Sequence, residues 1–333
     1  MSTRNVKTLY GINASGQVVG YSGAGGGNNH AFLYTPGTGM KDLGTLPGDV
    51  ISYATGINAS GQVVGYSGTG TLWHAFLYSG GVMTNLGLLP GGTQSMADGI
   101  NNSGQISGTA NTAPEYQNDQ AFIYSRGVMT PLGTLPGGGR SFGQDINASG
   151  QVTGGNEGAN YHAFLYTPGS GMTDLGVLPY QSRSVGIGIN DSGQVVGVSF
   201  IPDTGAGHAF LYTPGFGMTD LGTLPGQAWS QGGDINAGGQ VVGYTSGAYG
   251  LRAFLYSGGA MTDLNTLIDP SAGWALSLAC AINDSDWITG SGDVGGQTHA
   301  YLVTPVPEPI SLVSGTIGLA CIGAYVKRRA RRL

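Results

Sequence analysis

The sequence predicts an all-β protein, a seven-bladed β-propeller whose last blade lacks its fourth strand, followed by one C-terminal hydrophobic helix. The first observation is a repeat. The pair Ile-Asn recurs at Ile12, Ile57, Ile100, Ile146, Ile189, Ile235 and Ile282, at spacings of 45, 43, 46, 43, 46 and 47 residues. The second is that each unit holds four short strand-like runs, and four strands in about 40–50 residues is the period of a propeller blade. The third is that runs such as Ala31-Phe32-Leu33-Tyr34 are apolar on both faces, as in a sheet covered on both sides.

Within a unit, strand A ends at the Ile-Asn pair, and Ala-Ser-Gly after it makes a tight hairpin. Asn at the first turn position can bond the backbone two residues on, and Gly accepts positive φ. Strand B is the QVVGYS run, strand C is AFLYT and strand D is MTDLGTL. Thr-Pro-Gly separates C from D, and Pro-Gly closes D. Seven A–B–C units are present but only six D patterns. After Thr304 the chain passes directly to Pro305 and the tail, and Met1 to Asn5 is too short to supply the missing strand.

Composition narrows the function. Charged residues are only 9% of the chain and Gly fills 64 positions, yet 17 Tyr and 9 Phe provide for a core. Residues 1–305 hold 7 Lys+Arg against 17 Asp+Glu. An acidic body does not neutralise phosphates, which argues against nucleic acid as a partner. Cys280 and Cys321 fall in different settings, so no disulfide is expected between them.

The chain divides into a repeat body, 1–305, and a tail, 306–333. Residues 310–326 carry no charge. At about 1.5 Å per residue they reach roughly 25 Å, the short end for a membrane-spanning helix. Lys327, Arg328, Arg329, Arg331 and Arg332 follow, and the positive-inside rule keeps that end cytoplasmic with the repeats outside. Pro307-Glu308-Pro309, the apolar run and the Arg-rich end together resemble the PEP-CTERM sorting signal of Gram-negative bacteria. The resemblance implies export, recognition by an exosortase-type processing enzyme, cleavage near the triad, and association with the envelope or extracellular polysaccharide. The repeats resemble the HAF-repeat family of probable extracellular proteins. His-Ala-Phe is intact at His30, His74, His162 and His208, and drifts at Gln120, Arg252 and the His299-Ala300-Tyr301 triplet. MSTRNVKTLY carries no apolar signal segment. The expectation is a true start upstream, supplying a signal peptide and a D-like strand; the alternative is a short form that is not exported.

Candidate sites follow from what varies. The histidines open strand C, and a donor that ties strand C to a neighbouring loop explains them better than a metal site. No motif implies a metal or a cofactor. Asp42, Asp174, Asp220 and Asp263 read as a strand-edge solubility device. Asn13-Ala14-Ser15, Asn58-Ala59-Ser60 and Asn147-Ala148-Ser149 match a glycosylation sequon, but turn chemistry accounts for them. The body holds only Glu115 and Glu157, in different repeats, and no motif selects a catalytic pair of the kind a glycosidase needs. Little breaks the repeat in the way catalysis requires. Sequence diversity instead gathers in the B–C and D–A loops at one end of the blades. These carry Trp73, Tyr116, Tyr161, Tyr180, Trp229 and Trp274, and loops on a rigid scaffold are where recognition resides. The expectation is a non-enzymatic surface or matrix protein that binds glycan or another surface protein through that face. The alternative is a cryptic propeller enzyme acting on polysaccharide, marked by carboxylates converging in one pocket.

Overall fold

A computed structural model describes residues 6–25, 28–113, 118–158, 160–202, 204, 206–305 and 328–332. It is all-β apart from two single-turn 3-10 helices, Leu264–Thr266 and Pro270–Ala272. The first repeat shows the unit: strand A Val6–Ile12, B Val18–Gly25, C Asn28–Thr35 and D Gly39–Gly44, paired in sequence order as an antiparallel meander. Each later repeat builds the same meander. Repeats 4, 5 and 6 are further joined into one twelve-stranded sheet by single parallel pairs, Tyr161 with Arg183 and Gly207 with Trp229.

The Ile-Asn motif is explained by a belt of hydrogen bonds. In repeat 4, Asn147 Oδ1 accepts from the backbone N–H of Ser149 (3.2 Å) and Gln151 (2.9 Å). Its Nδ2 donates to Gln151 Oε1 (2.8 Å) and to the carbonyl of Asn190 in the next repeat (3.1 Å). An amide is the side chain that both accepts and donates in this way, which is why the position is Asn and not Asp. The same inter-repeat bond runs Asn13 to Asn58, Asn58 to Asn101, Asn101 to Asn147, Asn190 to Asn236 and Asn236 to Asn283. Asn283 then donates to the carbonyl of Asn13 at 2.9 Å and closes the cycle.

A second joint lies further out. Ser95 Oγ at the start of strand A accepts from Ala75 N–H of the preceding strand C (3.0 Å) and donates to the Gly87 carbonyl (2.8 Å). Ser52, Ser141, Ser184 and Ser230 repeat the arrangement. Between the two joints lies the core, as one apolar cluster at each junction of neighbouring repeats. Val19, Ala31 and Leu43 pack on Val63 and Phe76, and the last junction sets Ala300 and Leu302 against Leu9, Val18 and Phe32. The aromatic residue of the strand C triplet is fully buried at Phe76, Phe122, Phe164, Phe210, Phe254 and Tyr301, each contributing about 1.5–3 kcal/mol by burial. The two-sided apolar runs of the sequence are this sandwiching.

The QVVGYS glycine has its own reason. Strand A carries a one-residue β-bulge two positions before the Ile, as at Thr55 between Ala54 and Gly56. The bulge brings a strand A carbonyl against strand B. A Cβ at Gly65 would lie 1.9 Å from Tyr53 O, and at Gly197 1.9 Å from Val185 O.

The seventh sheet corrects the expectation of a missing fourth strand. Strands Trp274–Ile282, Ile288–Val294 and Gln297–Pro305 are completed by Arg328–Arg332, antiparallel to the third, with Tyr301 opposite Arg332 and Pro305 opposite Arg328. The outer edge of strand C presents backbone donors and acceptors in every repeat, and here the basic segment supplies their partners. It lacks the MTDLG pattern, so the repeat gave no sign of it. Pro307, Glu308, Pro309, the expected helix at 310–326 and Lys327 lie outside the described residues. Among the described residues no helix is long and apolar enough to cross a membrane.

Candidate functional site

The seven A strands stand side by side around the axis, each in contact with the A strands of both neighbours. They enclose a cavity of about 470 Å³. A second hollow of about 240 Å³ lies at the A–B turn end, lined by the Ile-Asn positions of all seven repeats. The bulge decides what the larger cavity contains, because it re-aims the extra residue of the strand. The bulge residues are Tyr10, Thr55, Asp98, Gln144, Ile187, Gly233 and Cys280, and every one lines the cavity. Beside an Ile-Asn pair present in every repeat, this column differs in all seven.

Three carboxylates face the cavity: Asp98 from the bulge column, and Asp145 and Asp234 from the next position. Asp145 Oδ1 accepts from Ile146 N–H (2.8 Å), and Oδ2 accepts from Ile189 N–H of the next repeat (3.1 Å). Asp234 does the same with Ile235 (2.7 Å) and Ile282 (2.8 Å). Enclosure pushes the Asp145 carboxyl up to about 6, against the pull of its two backbone donors. Enclosure, aided by the charge of Asp145, pushes Asp234 up to about 7. Asp98 is driven well above the carboxylate range by enclosure and then by Asp145, and among the described residues no donor is assigned to its carboxylate. No Lys, Arg or His is among the cavity's described lining residues. No group of described residues has the geometry to hold a metal ion.

These aspartates break the repeat, contrary to the expectation that little does. Asp145 and Asp234 stand where repeats 1, 2, 3 and 5 carry Gly11, Gly56, Gly99 and Gly188. Aligning the residue before each Ile reveals them; a search of the loops does not.

Toward the end where the B–C and D–A loops emerge, the cavity meets a run of aromatic rings. Tyr10 stacks on Tyr21 (6.2 Å), Tyr21 meets Tyr53 edge-on (4.7 Å), and Tyr53 leans on Tyr66 (5.2 Å). Trp73 closes the run against Tyr53 (5.6 Å) and Tyr66 (5.2 Å). Tyr10 and Tyr66 also line the cavity, and Tyr10 is 41% exposed. Of the loop aromatics expected from sequence, only Trp73 joins this run. Trp229 packs on Phe200 (5.8 Å) and engages the Tyr244 hydroxyl. Tyr161 lies beneath the Arg183 guanidinium (5.9 Å). Trp274 packs on Tyr301 and His299 and belongs to the core between repeats 6 and 7. Tyr180 is 97% exposed, with positive φ. Tyr116 lies outside the described residues. The four tyrosines of the run sit in strands A and B, and a search confined to loops passes over them.

Three of the strand C histidines pair with strand D of their own repeat, whereas His74 faces Asp49 of the preceding D–A loop at 3.8 Å. Nδ1 lies 3.1 Å from Asp42 at His30, 2.9 Å from Asp174 at His162 and 2.9 Å from Asp220 at His208. Arg252, which stands at the His position of repeat 6, reaches Asp263 at 2.6 Å. The aspartates do more than keep an edge soluble: Asp42, Asp174 and Asp220 each accept from the N–H of the glycine two residues on.

No family model matches the chain, and no curated protein matches it. Among solved structures, it is similar to an oligogalacturonate lyase from Vibrio parahaemolyticus: 11% identity, 91% of this chain, 90% of that chain, TM-score 0.61. It is also similar to a prolyl endopeptidase: 12% identity, 91% of this chain, TM-score 0.62. The chain spans about half (48%) of that endopeptidase's length. The six-bladed β-propeller lectin of Aleuria aurantia aligns at 11% identity over 91% of this chain and 92% of its own, with a TM-score of 0.40 too low to carry an argument. Together with the sheet topology, the likenesses above 0.5 support an all-β, propeller-like fold, and at this identity they speak of fold alone.

Proposed function

We propose that the chain is a seven-bladed β-propeller that binds glycan, or a glycan-bearing surface protein, through the face where the B–C and D–A loops emerge, without catalysing a reaction. The observation that carries this reading is the run Tyr10–Tyr21–Tyr53–Tyr66–Trp73 leading into the axial cavity. Sugar rings present C–H faces that stack on aromatic surfaces, and clustered aromatic anchors dominate an interface without charge. In this reading the protein is exported to the envelope or exopolysaccharide matrix of a Gram-negative bacterium, sorted by an exosortase-type enzyme acting at Pro307-Glu308-Pro309 and held at first by the 310–326 segment; in that anchored form Arg328–Arg332 stands away from the third strand of the seventh sheet, with which it pairs in the described fold. That part rests on the sequence resemblance alone. Its test is replacement of Arg328, Arg329, Arg331 and Arg332 by neutral residues, with unchanged sorting counting against it. Binding is tested by retention of the full chain on matrix polysaccharide. Trp73→Ala with Tyr53→Ala should weaken retention at least tenfold with the fold intact, since ring stacking carries the contact. Unchanged retention refutes the aromatic-face reading.

One observation favours a second reading, a polysaccharide-acting enzyme: Asp98, Asp145 and Asp234 share one cavity, with carboxyls shifted toward neutrality. Perturbed carboxylates in a cleft are what general acid–base chemistry uses. Release of new chain ends from matrix polysaccharide, abolished by Asp145→Asn or Asp234→Asn, would establish it. No release from any matrix fraction would remove it.

A further inference from the structure

We infer that the axial cavity is a binding site for the protonated amine of a deacetylated amino sugar, with Asp98 as the ion-pair partner of the ammonium group. The inference deepens the glycan reading above and rests on it.

The argument begins with charge. The described lining holds three carboxylates and no cationic side chain. Asp145 and Asp234 are occupied, each by two backbone N–H groups that join neighbouring repeats. Asp98 is not: it sits on a bulge aimed at the cavity, with no donor assigned among the described residues. Asp98 is half-buried, with its oxygens open to the cavity, and the partial loss of solvation together with the charge of Asp145 raises its carboxyl and leaves an electrostatic deficit there. A ligand that brings a positive charge removes that deficit. A uronic acid would add to it, so the cavity discriminates against acidic sugars.

The surroundings narrow the cation. A bare divalent ion needs several converging ligands, and no three described His, Cys, Asp or Glu side chains converge on one point. Tyr10 and Tyr66 line the same cavity as Asp98. Aromatic faces beside a carboxylate suit an organic ammonium. Around them stand the neutral amides of Gln144 and Gln231, which fit ring hydroxyls and have no use for the methylene chain of a polyamine. A volume of about 470 Å³ falls in the usual range of small-molecule sites, roughly 300–1,000 Å³, and admits one or two sugar rings.

The test is calorimetric titration of the full chain with glucosamine disaccharide, its N,N′-diacetyl counterpart, spermidine and calcium chloride. The inference expects the free amine to bind at least tenfold more tightly than the acetylated form, and more tightly than spermidine or calcium. Asp98→Asn, a neutral isostere at a position without partners, should remove that tenfold preference while leaving the thermal midpoint equal or higher. Equal binding of amine and acetamide, tighter binding of spermidine or calcium, or an Asp98→Asn protein that keeps its preference would each overturn it. Loss of fold in Asp98→Asn would also count against it, since it would give Asp98 a structural role. The two readings separate cleanly. If matrix retention falls with Trp73→Ala while Asp98→Asn changes nothing, the cavity assignment fails and the face assignment stands.

Discussion

Replacing Asn147 by Asp changes one group in the belt, an NH2 for an oxygen, and alters no shape. Oδ1 keeps its bonds from Ser149 and Gln151. The other oxygen then faces the Asn190 carbonyl, 3.1 Å from the old nitrogen, and Gln151 Oε1, 2.8 Å away. Two hydrogen bonds vanish and acceptors face acceptors. Gln151 cannot turn its amide to compensate freely, because its Nε2 already donates to Thr167 Oγ1. A buried group left without its partner costs about 1–3 kcal/mol, so two such losses come to about 4 kcal/mol, and the new charge adds to that. Urea unfolding at pH 7 measures it, as a drop in midpoint at unchanged slope. The loss should shrink in acid. An ionised carboxylate against a carbonyl has its folded pKa raised, so the destabilisation is complete above that pKa and falls as the protonated acid regains a donor. A variant within about 1 kcal/mol of the parent at pH 7, by the same extrapolation, would refute the view that the side-chain amide is what joins the repeats.

Three further outcomes are expected. Gly197→Ala forces a Cβ to 1.9 Å from the Val185 carbonyl and should cost about 3 kcal/mol, the upper end of overpacking penalties; chemical denaturation measures it, and a loss under about 1 kcal/mol would show that the bulge can move. His208→Ala removes an exposed pair with Asp220 and should change stability by less than about 1 kcal/mol, so a larger loss would mean that the pairs hold strands C and D together. Asp145 and Asp234 are raised to about 6 and about 7 in the folded chain, so the folded state binds more protons than the unfolded one between about pH 4 and 7. Their contribution is fully present below the unfolded pKa and lost as pH rises through the folded values; the thermal midpoint of Asp234→Asn should therefore gain on the parent as pH rises from 5 to 8, and a constant difference would contradict the shift.

What the sequence disclosed depended on repetition. Seven Ile-Asn pairs specified seven meanders because the same amide makes the same bonds at every joint. The Gly of QVVGYS and the Phe of strand C were visible as a repeat, although the reason for the Gly, a bulged partner strand, appears only in three dimensions. The fourth strand of the last sheet was illegible because backbone pairing asks for no particular side chains, and Arg328–Arg332 shares none with the other D strands. The His–Asp pairs hid behind a separation of 12 residues, although that separation is constant from His30–Asp42 to His162–Asp174 and His208–Asp220. The cavity was missed for the opposite reason: the residues that give it its character, the bulge column with Asp145 and Asp234, do not repeat, inside a motif whose regularity drew the eye.

That bulge column carries a consequence for how such a chain can change. Nearly every other position of strand A is committed. The Ser latches the neighbouring repeat, the alternate apolar residues fill the core between repeats, the position before the Ile abuts the next repeat's backbone, and the Ile-Asn pair closes the belt. The bulge residue is released from the ladder and faces the axis. The seven repeats have written it as Tyr, Thr, Asp, Gln, Ile, Gly and Cys while keeping the Asn belt, and only Thr55 adds a bond of its own to the next repeat, to the Ala97 carbonyl. The ring therefore works as a lock with seven independent tumblers. New specificities are reachable by single substitutions that leave the Asn belt in place, and a library confined to the six positions other than Thr55 would sample ligands while sparing the bonds between repeats.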